Sequence, residues 1–218
     1  RALFVAIQKE ESNAMKSFSD GPKAVAAMLD VRSQQLVQAT RVYRNQLPLG
    51  SIAAMLFLSA DEEISISAQA SSSLYNLCYQ TSFRNAMTAG PNQKQMRVLL
   101  GKWIRRASDS VAYQAMALSM QYDLKDGLVP AERTISNVGA PAHIRQYAIL
   151  TVGKMGSAEH IPMLEGLLKD NTLTSRRTIN KVVYETQVRD IALATLLHLT
   201  KQDPKKYGFS RIQPNSRM

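Results

Sequence analysis

The sequence predicts an all-α chain whose short helical hairpins stack as a right-handed α-solenoid, or superhelix, behind an N-terminal helical extension. Three observations predict it. Aromatic residues make up only 6% of the chain while Ala, Leu, Met and Gln are frequent, a mix that favours helix over strand. Apolar residues recur at helical spacing in one segment after another. In the second half a twelve-residue pattern returns three times, at offsets of 33 and then 44 residues, and a period of that size with two helices per unit marks a solenoid.

Residues 3–18 form the first expected helix, with an apolar stripe at Leu3, Ile7 and Ala14. SDGP at 19–22 breaks it, and Pro22 suits the first turn of the next helix, expected over 23–46 from Val25, Met28, Leu29, Leu36, Ala39 and Val42. LPLG at 47–50 stops that helix. Residues 51–59 read as a short apolar helix, and the longest apolar stretch of the chain, 52–58, lies inside it. Asp61, Glu62 and Glu63 read as an acidic cluster capping a further helix over 64–79. AGPN at 89–92 then separates this from a helix over 93–107 that places Met96, Leu99, Leu100, Trp103 and Ile104 beside a run of cations.

The three repeated segments are VAYQAMALSMQY (111–122), IRQYAILTVGKM (144–155) and VRDIALATLLHL (188–199). They align without gaps, so that Ala115, Ala148 and Ala192 coincide, as do Met116, Ile149 and Leu193, and Tyr122, Met155 and Leu199. The first two lead into second apolar helices, LVPAERTIS (128–136) and IPMLEGLLK (161–169), which match at the same 33-residue offset: Leu128 with Ile161 and Ile135 with Leu168. One such hairpin cannot bury its apolar face alone, whereas stacked hairpins bury theirs against each other, and a small residue such as Ala148 lets neighbouring helices approach. Gly153 and Gly156 are expected to loosen the chain near its turn into the second helix.

Residues 144–170, IRQYAILTVGKMGSAEHIPMLEGLLKD, resemble a HEAT repeat, particularly the bacterial variety related to phycobilin-lyase repeats. The apolar-Arg pairs Ile144-Arg145 and Val188-Arg189, the buried Ala and the closing Asp170 carry the resemblance. It covers residues 110–200, and the first segment departs from it, having Val111-Ala112 with no Arg. The chain is thus expected to divide into a helical extension over 1–46, a degenerate HEAT-like hairpin over 47–109 and HEAT-like repeats over 110–200, as the resemblance implies, and a polar, proline-containing C-terminal tail over 201–218. The eleven extra residues before the third segment fall in DNTLTSRRTINKVVYETQ, residues 170–187, expected as an inserted surface loop. Tyr207 and Phe209 are expected to fold back onto the last helix.

No motif of catalysis emerges. The single cysteine, Cys78, excludes an internal disulfide framework and sits among apolar neighbours as core. His143, His160 and His198 never pair at the i, i+4 spacing of a helical metal site. There is no Gly-rich phosphate loop and no nucleophile elbow. Met28, Met55, Met116, Met120, Met155 and Met163 read as core filler on apolar faces. No cofactor is expected, and no window is long and apolar enough for a membrane span. The chain begins at Arg1 rather than Met, which reads as a fragment or processed product, and both the cytoplasm and an extracytoplasmic space remain open.

The net charge is +10, with thirteen basic against eight acidic residues up to Asp109 and fourteen against nine after it. Arg84, Lys94, Arg97, Lys102, Arg105 and Arg106 have no acidic residue between them, and Arg176, Arg177 and Lys181 lie in the inserted loop. The tail adds Lys201, Lys205, Lys206, Arg211 and Arg217 against Asp203. Such a field attracts acidic protein surfaces or polyanions. The function expected is therefore a non-enzymatic protein–protein interaction or scaffolding module. Its partner is expected to be another protein, or another part of a larger chain, with an acidic surface. The alternative is a nucleic-acid-binding solenoid that uses the same cations. A third reading, an alkylation-specific DNA glycosylase of similar size and charge, requires a carboxylate beside Trp103 in a cleft.

Overall fold

The computed structural model describes residues 2–42 and 47–209. Among them the protein is 74% helix, with twelve α-helices and one two-stranded sheet. It divides into two compact units, Arg1–Ala115 and Met116–Met218.

The first unit is organised around one apolar helix. Its elements are α1 (Ala2–Glu10), α2 (Ser12–Lys16), a 3-10 turn (Ser17–Asp20), α3 (Pro22–Val42), α4 (Leu49–Ser59), α5 (Ala68–Leu77), α6 (Thr81–Thr88) and α7 (Gln93–Arg106). Helix α4 is apolar nearly all round, so it is stable only where other elements enclose it. It packs against α1, α3, α5, α6 and α7, and Ile52, Ala53, Ala54, Met55, Leu56 and Leu58 have no exposed surface. Gly50 brings α1 and α4 close together: a Cβ built there would stand 2.8 Å from the Ala6 carbonyl. Helices α1 and α3, expected as an extension, pack on α4 and α5 within this unit.

Two helix boundaries depart from the sequence reading, one at a contact with a distant helix and one at a local cap. The single helix expected over 3–18 breaks at Glu11, whose buried carboxylate takes Arg32 of α3 in a two-pronged ion pair, 2.9 Å from Nε and 2.6 Å from Nη2. The helix expected from residue 64 starts at Ala68 instead. Ser67 is its cap and accepts the Ala70 N–H at 3.0 Å. Asp61 caps only the Glu63 amide, at 3.0 Å, in the turn that precedes it. Helix α6 answers to no element of the sequence reading; it buries Phe83, Ala86 and Met87.

In the second unit the helices begin and end near the bounds read from the sequence. The division falls inside α8 (Ala112–Tyr122), which is followed by α9 (Leu128–Ser136), α10 (Ala142–Met155), α11 (Ile161–Gly166) continued by a 3-10 turn (Leu167–Lys169), and α12 (Val188–Leu199). Helix α10 packs against α9 and α12, and α12 against α11. The aligned Ala115, Ala148 and Ala192 all have no exposed surface. Gly153 does not loosen the helix; it lies inside α10 where a Cβ would stand 3.2 Å from Thr195 of α12, so it permits close helix packing.

The stretch expected as an inserted loop is a β-hairpin. Strands β1 (Leu173–Ile179) and β2 (Val182–Gln187) pair antiparallel. Thr172, Thr174, Thr178, Ile179, Val182, Val183 and Thr186 are β-branched, which favours extended backbone over loop. The tail forms a 3-10 turn (Pro204–Tyr207) against α12, with Asp203 accepting the Lys205 amide at 3.0 Å. Tyr207 stays 48% exposed. Arg211 and Arg217 lie outside the described residues.

Candidate functional site

The cations of the sequence reading fall in both units: Arg84, Lys94, Arg97, Lys102, Arg105 and Arg106 in the first, Arg176, Arg177 and Lys181 in the second.

Helix α7 sorts its side chains by face. Met96, Leu100, Trp103 and Ile104 are buried, with α7 packed on α4 and α6. Lys94, Val98, Lys102 and Arg105, spaced by four, four and three residues, line the exposed face. Arg84 is exposed on α6, and Arg97 is half-buried. Arg106 leaves this group. Its guanidinium donates to the carbonyls of Ser59 at 2.6 Å and Ile64 at 2.8 Å, and also to that of Asp61. These are carbonyls at and just beyond the C-terminus of α4, where helix backbone acceptors lack partners. Arg106 is thus an internal clamp on the α4–α5 connection rather than a surface cation, and sequence position alone cannot distinguish the two. Trp103 is 1% exposed and belongs to the core, not to the wall of a cleft.

In the second unit the hairpin is built upward from its root. Asp170 accepts the Thr172 amide at 2.9 Å and Arg145 Nη2 at 2.5 Å, while its carbonyl accepts the Arg189 amide at 3.0 Å. The Val188 amide donates to Thr172 O at 3.0 Å. Burial works against the Asp170 carboxylate, but hydrogen bonds from Thr172 and Arg145 outweigh it and hold its pKa below the usual carboxylate range. A register shift between Leu173 and Ser175 leaves Thr174 as an extra residue, and its hydroxyl donates to Thr186 O at 2.8 Å.

Above the root the strands leave the helical body. Thr174, Ser175, Thr186 and Gln187 are half-buried, whereas Arg176, Arg177, Thr178, Val182, Val183, Tyr184 and Glu185 are exposed. Asn180 and Lys181 both have positive φ, +51° and +64°, and form a two-residue turn of the type that matches strand twist. The cross-strand pairs are Arg176–Glu185, Arg177–Tyr184, Thr178–Val183 and Ile179–Val182. Arg176 Nε donates to Glu185 at 2.9 Å. Val182, Val183 and Tyr184 are 52, 54 and 45% exposed, so apolar surface faces outward on both sides of the ribbon. Sequence reasoning missed these three; the signal that marks them is the β-branched run on either side of Asn180-Lys181.

Three further titratable groups are fixed by packing and hydrogen bonds. His160 is buried, takes the Ser157 N–H on Nδ1 at 3.1 Å and faces Glu132 from Nε2 at 3.2 Å. Cys78 is fully buried, and burial pushes its thiol well above its ordinary value. Tyr75 is raised first by burial and then by its hydrogen bond to Tyr79 at 2.9 Å. Among the described residues no group of three His, Cys, Asp or Glu is placed to hold a metal ion, and no helix is long and apolar enough to cross a membrane.

Neither a family model, nor a curated protein, nor a solved structure matches the chain.

Proposed function

We propose that the protein is a non-enzymatic protein–protein interaction or scaffolding module, a short HEAT-like α-solenoid that presents a β-hairpin to its partner. The observation that carries this reading is the hairpin. Two strands alone are marginally stable in water, yet these two carry Val182, Val183 and Tyr184 largely exposed. Exposed apolar side chains grouped on a projecting element mark interaction sites, and strand edges offer unpaired backbone groups for pairing. The solenoid is supported by the recurrence of fully buried alanines at Ala115, Ala148 and Ala192 in equivalent positions of three helices.

Site-specific photocrosslinking tests it. A crosslinking residue at Tyr184 is expected to yield discrete protein adducts in cell extract. The same residue at Val138, which is 84% exposed between α9 and α10, is expected to yield only background. Equal background at both positions contradicts the reading.

A second reading, binding of nucleic acid, is favoured by one observation: Lys94, Lys102 and Arg105 share the exposed face of α7. Fluorescence anisotropy with labelled duplex and single-stranded DNA at two salt concentrations decides it. Phosphate contacts predict strong binding that falls steeply with salt, because counterions are released. Absence of binding at low salt removes this reading.

A further inference from the structure

We propose that the outer edge of β1 accepts an acidic, extended segment of a partner protein as a third strand. This rests on the interaction-module reading and specifies its partner.

The register identifies which backbone groups are free to pair. In a two-residue hairpin the pair that flanks the turn, here Ile179–Val182, exchanges its backbone hydrogen bonds, and pairs alternate from there. Arg177–Tyr184 is then bonded within the ribbon, while Thr178–Val183 and Arg176–Glu185 turn their N–H and C=O groups outward. The β1 edge therefore presents Arg176 and Thr178, and the β2 edge presents Val183 and Glu185. Among the described residues the sheet has two strands only. An added strand pairs its own backbone with these groups.

Charge selects the edge and the occupant. From 173 to 187 there are three cations, Arg176, Arg177 and Lys181, and one carboxylate, Glu185. Both arginines are on β1, adjacent in sequence, so their side chains point to opposite faces of the ribbon. A strand laid along β1 meets a cation on each face. Along β2 it meets Glu185, which repels an acidic segment. Arg176 already holds Glu185 in an exposed ion pair, and such pairs are weak enough to yield to a competing carboxylate. A second copy of this chain suits the edge poorly, because β1 against β1 sets arginines against arginines.

The test uses the full chain and two synthetic octapeptides, one alternating Glu and Val, the other alternating Lys and Val. Binding is read by fluorescence anisotropy and by amide hydrogen exchange in NMR spectra at millimolar peptide. The Glu-Val peptide is expected to bind at least tenfold tighter than the Lys-Val peptide. It is expected to slow exchange at the amides of Arg176 and Thr178 while those of Val183 and Glu185 keep their rates, and Arg177→Glu is expected to weaken it at least tenfold. Protection at Val183 and Glu185 instead, equal affinity for the two peptides, or binding without protection on β1 overturns the proposal. Protection of the β1 amides by self-association or by DNA, with none by the Glu-Val peptide, overturns it too. If crosslinking from Tyr184 persists while Arg176 and Thr178 stay unprotected, the acidic strand fails and the interaction-module reading stands.

Discussion

Arg145, 3% exposed at the start of α10, places Nη2 2.5 Å from the carboxylate of Asp170, twenty-five residues later at the root of the hairpin. Arg145 opens and Asp170 closes the repeat-like segment 144–170 of the sequence, and the two meet in the structure. The pair ties α10 to the point where the chain leaves the helices, and Asp170 also receives the amides of Thr172 and Arg189. Removing one partner leaves a buried charge unmatched. Asp170→Ala is expected to cost about 3–5 kcal/mol, the usual penalty for breaking a buried pair, measured by urea unfolding.

The same carboxylate gives a pH dependence. Its folded pKa is depressed, so its contribution is fully present above the unfolded value of about 3.9 and is lost as pH falls through the folded value. Thermal unfolding from pH 7 down to pH 2 is expected to show the gap between wild type and Asp170→Asn constant above about pH 4 and closing below it. A gap that closes near neutral pH contradicts the assignment.

Arg106 separates structural from surface cations. Arg106→Ala removes a charged donor from the carbonyls of Ser59, Asp61 and Ile64 and is expected to cost about 2–3 kcal/mol. Lys94→Ala and Lys102→Ala, on the exposed face of α7, are expected to stay within about 0.5 kcal/mol of wild type. Chemical denaturation of the three variants checks both statements.

Gly50→Ala drives a methyl group against the Ala6 carbonyl and the Glu10 carboxylate, at 2.8 and 2.5 Å. Helix α1 then has to move off α4, and the strain is expected to cost about 1–3 kcal/mol. Glu10 also accepts the Ser51 amide at 3.1 Å, so the same shift weakens that bond. Calorimetric unfolding measures the loss.

Lys181 holds a left-handed backbone, φ +64°, that a side chain with Cβ disfavours. Lys181→Gly, which creates Asn-Gly at the turn, is expected to stabilise the hairpin by about 1 kcal/mol. Hydrogen exchange at the inward amides of Arg177 and Tyr184 is expected to slow correspondingly, without change in the amides of α10.

The helices of the second unit were legible because their determinants are local. The apolar spacing and flanking turns placed α9 and α12 at the residues where they occur, and the aligned alanines are all buried. The break at Glu11 was not legible, because it depends on Arg32 in another helix. For the same reason Arg106 looked like part of a basic run, although its acceptors lie more than forty residues upstream. The hairpin was hidden by its polarity: Thr, Arg and Asn read as loop, and the β-branched residues show their meaning only once the turn at Asn180-Lys181 pairs the two strands.

The central claim is that the hairpin is the binding element. Its most direct test compares partner capture by the tagged chain with capture by a chain in which residues 175–185 are replaced by Gly-Gly, both verified as folded by circular dichroism. The account predicts that the proteins retained by the intact chain are absent from the shortened one. Retention of the same proteins by both chains contradicts it.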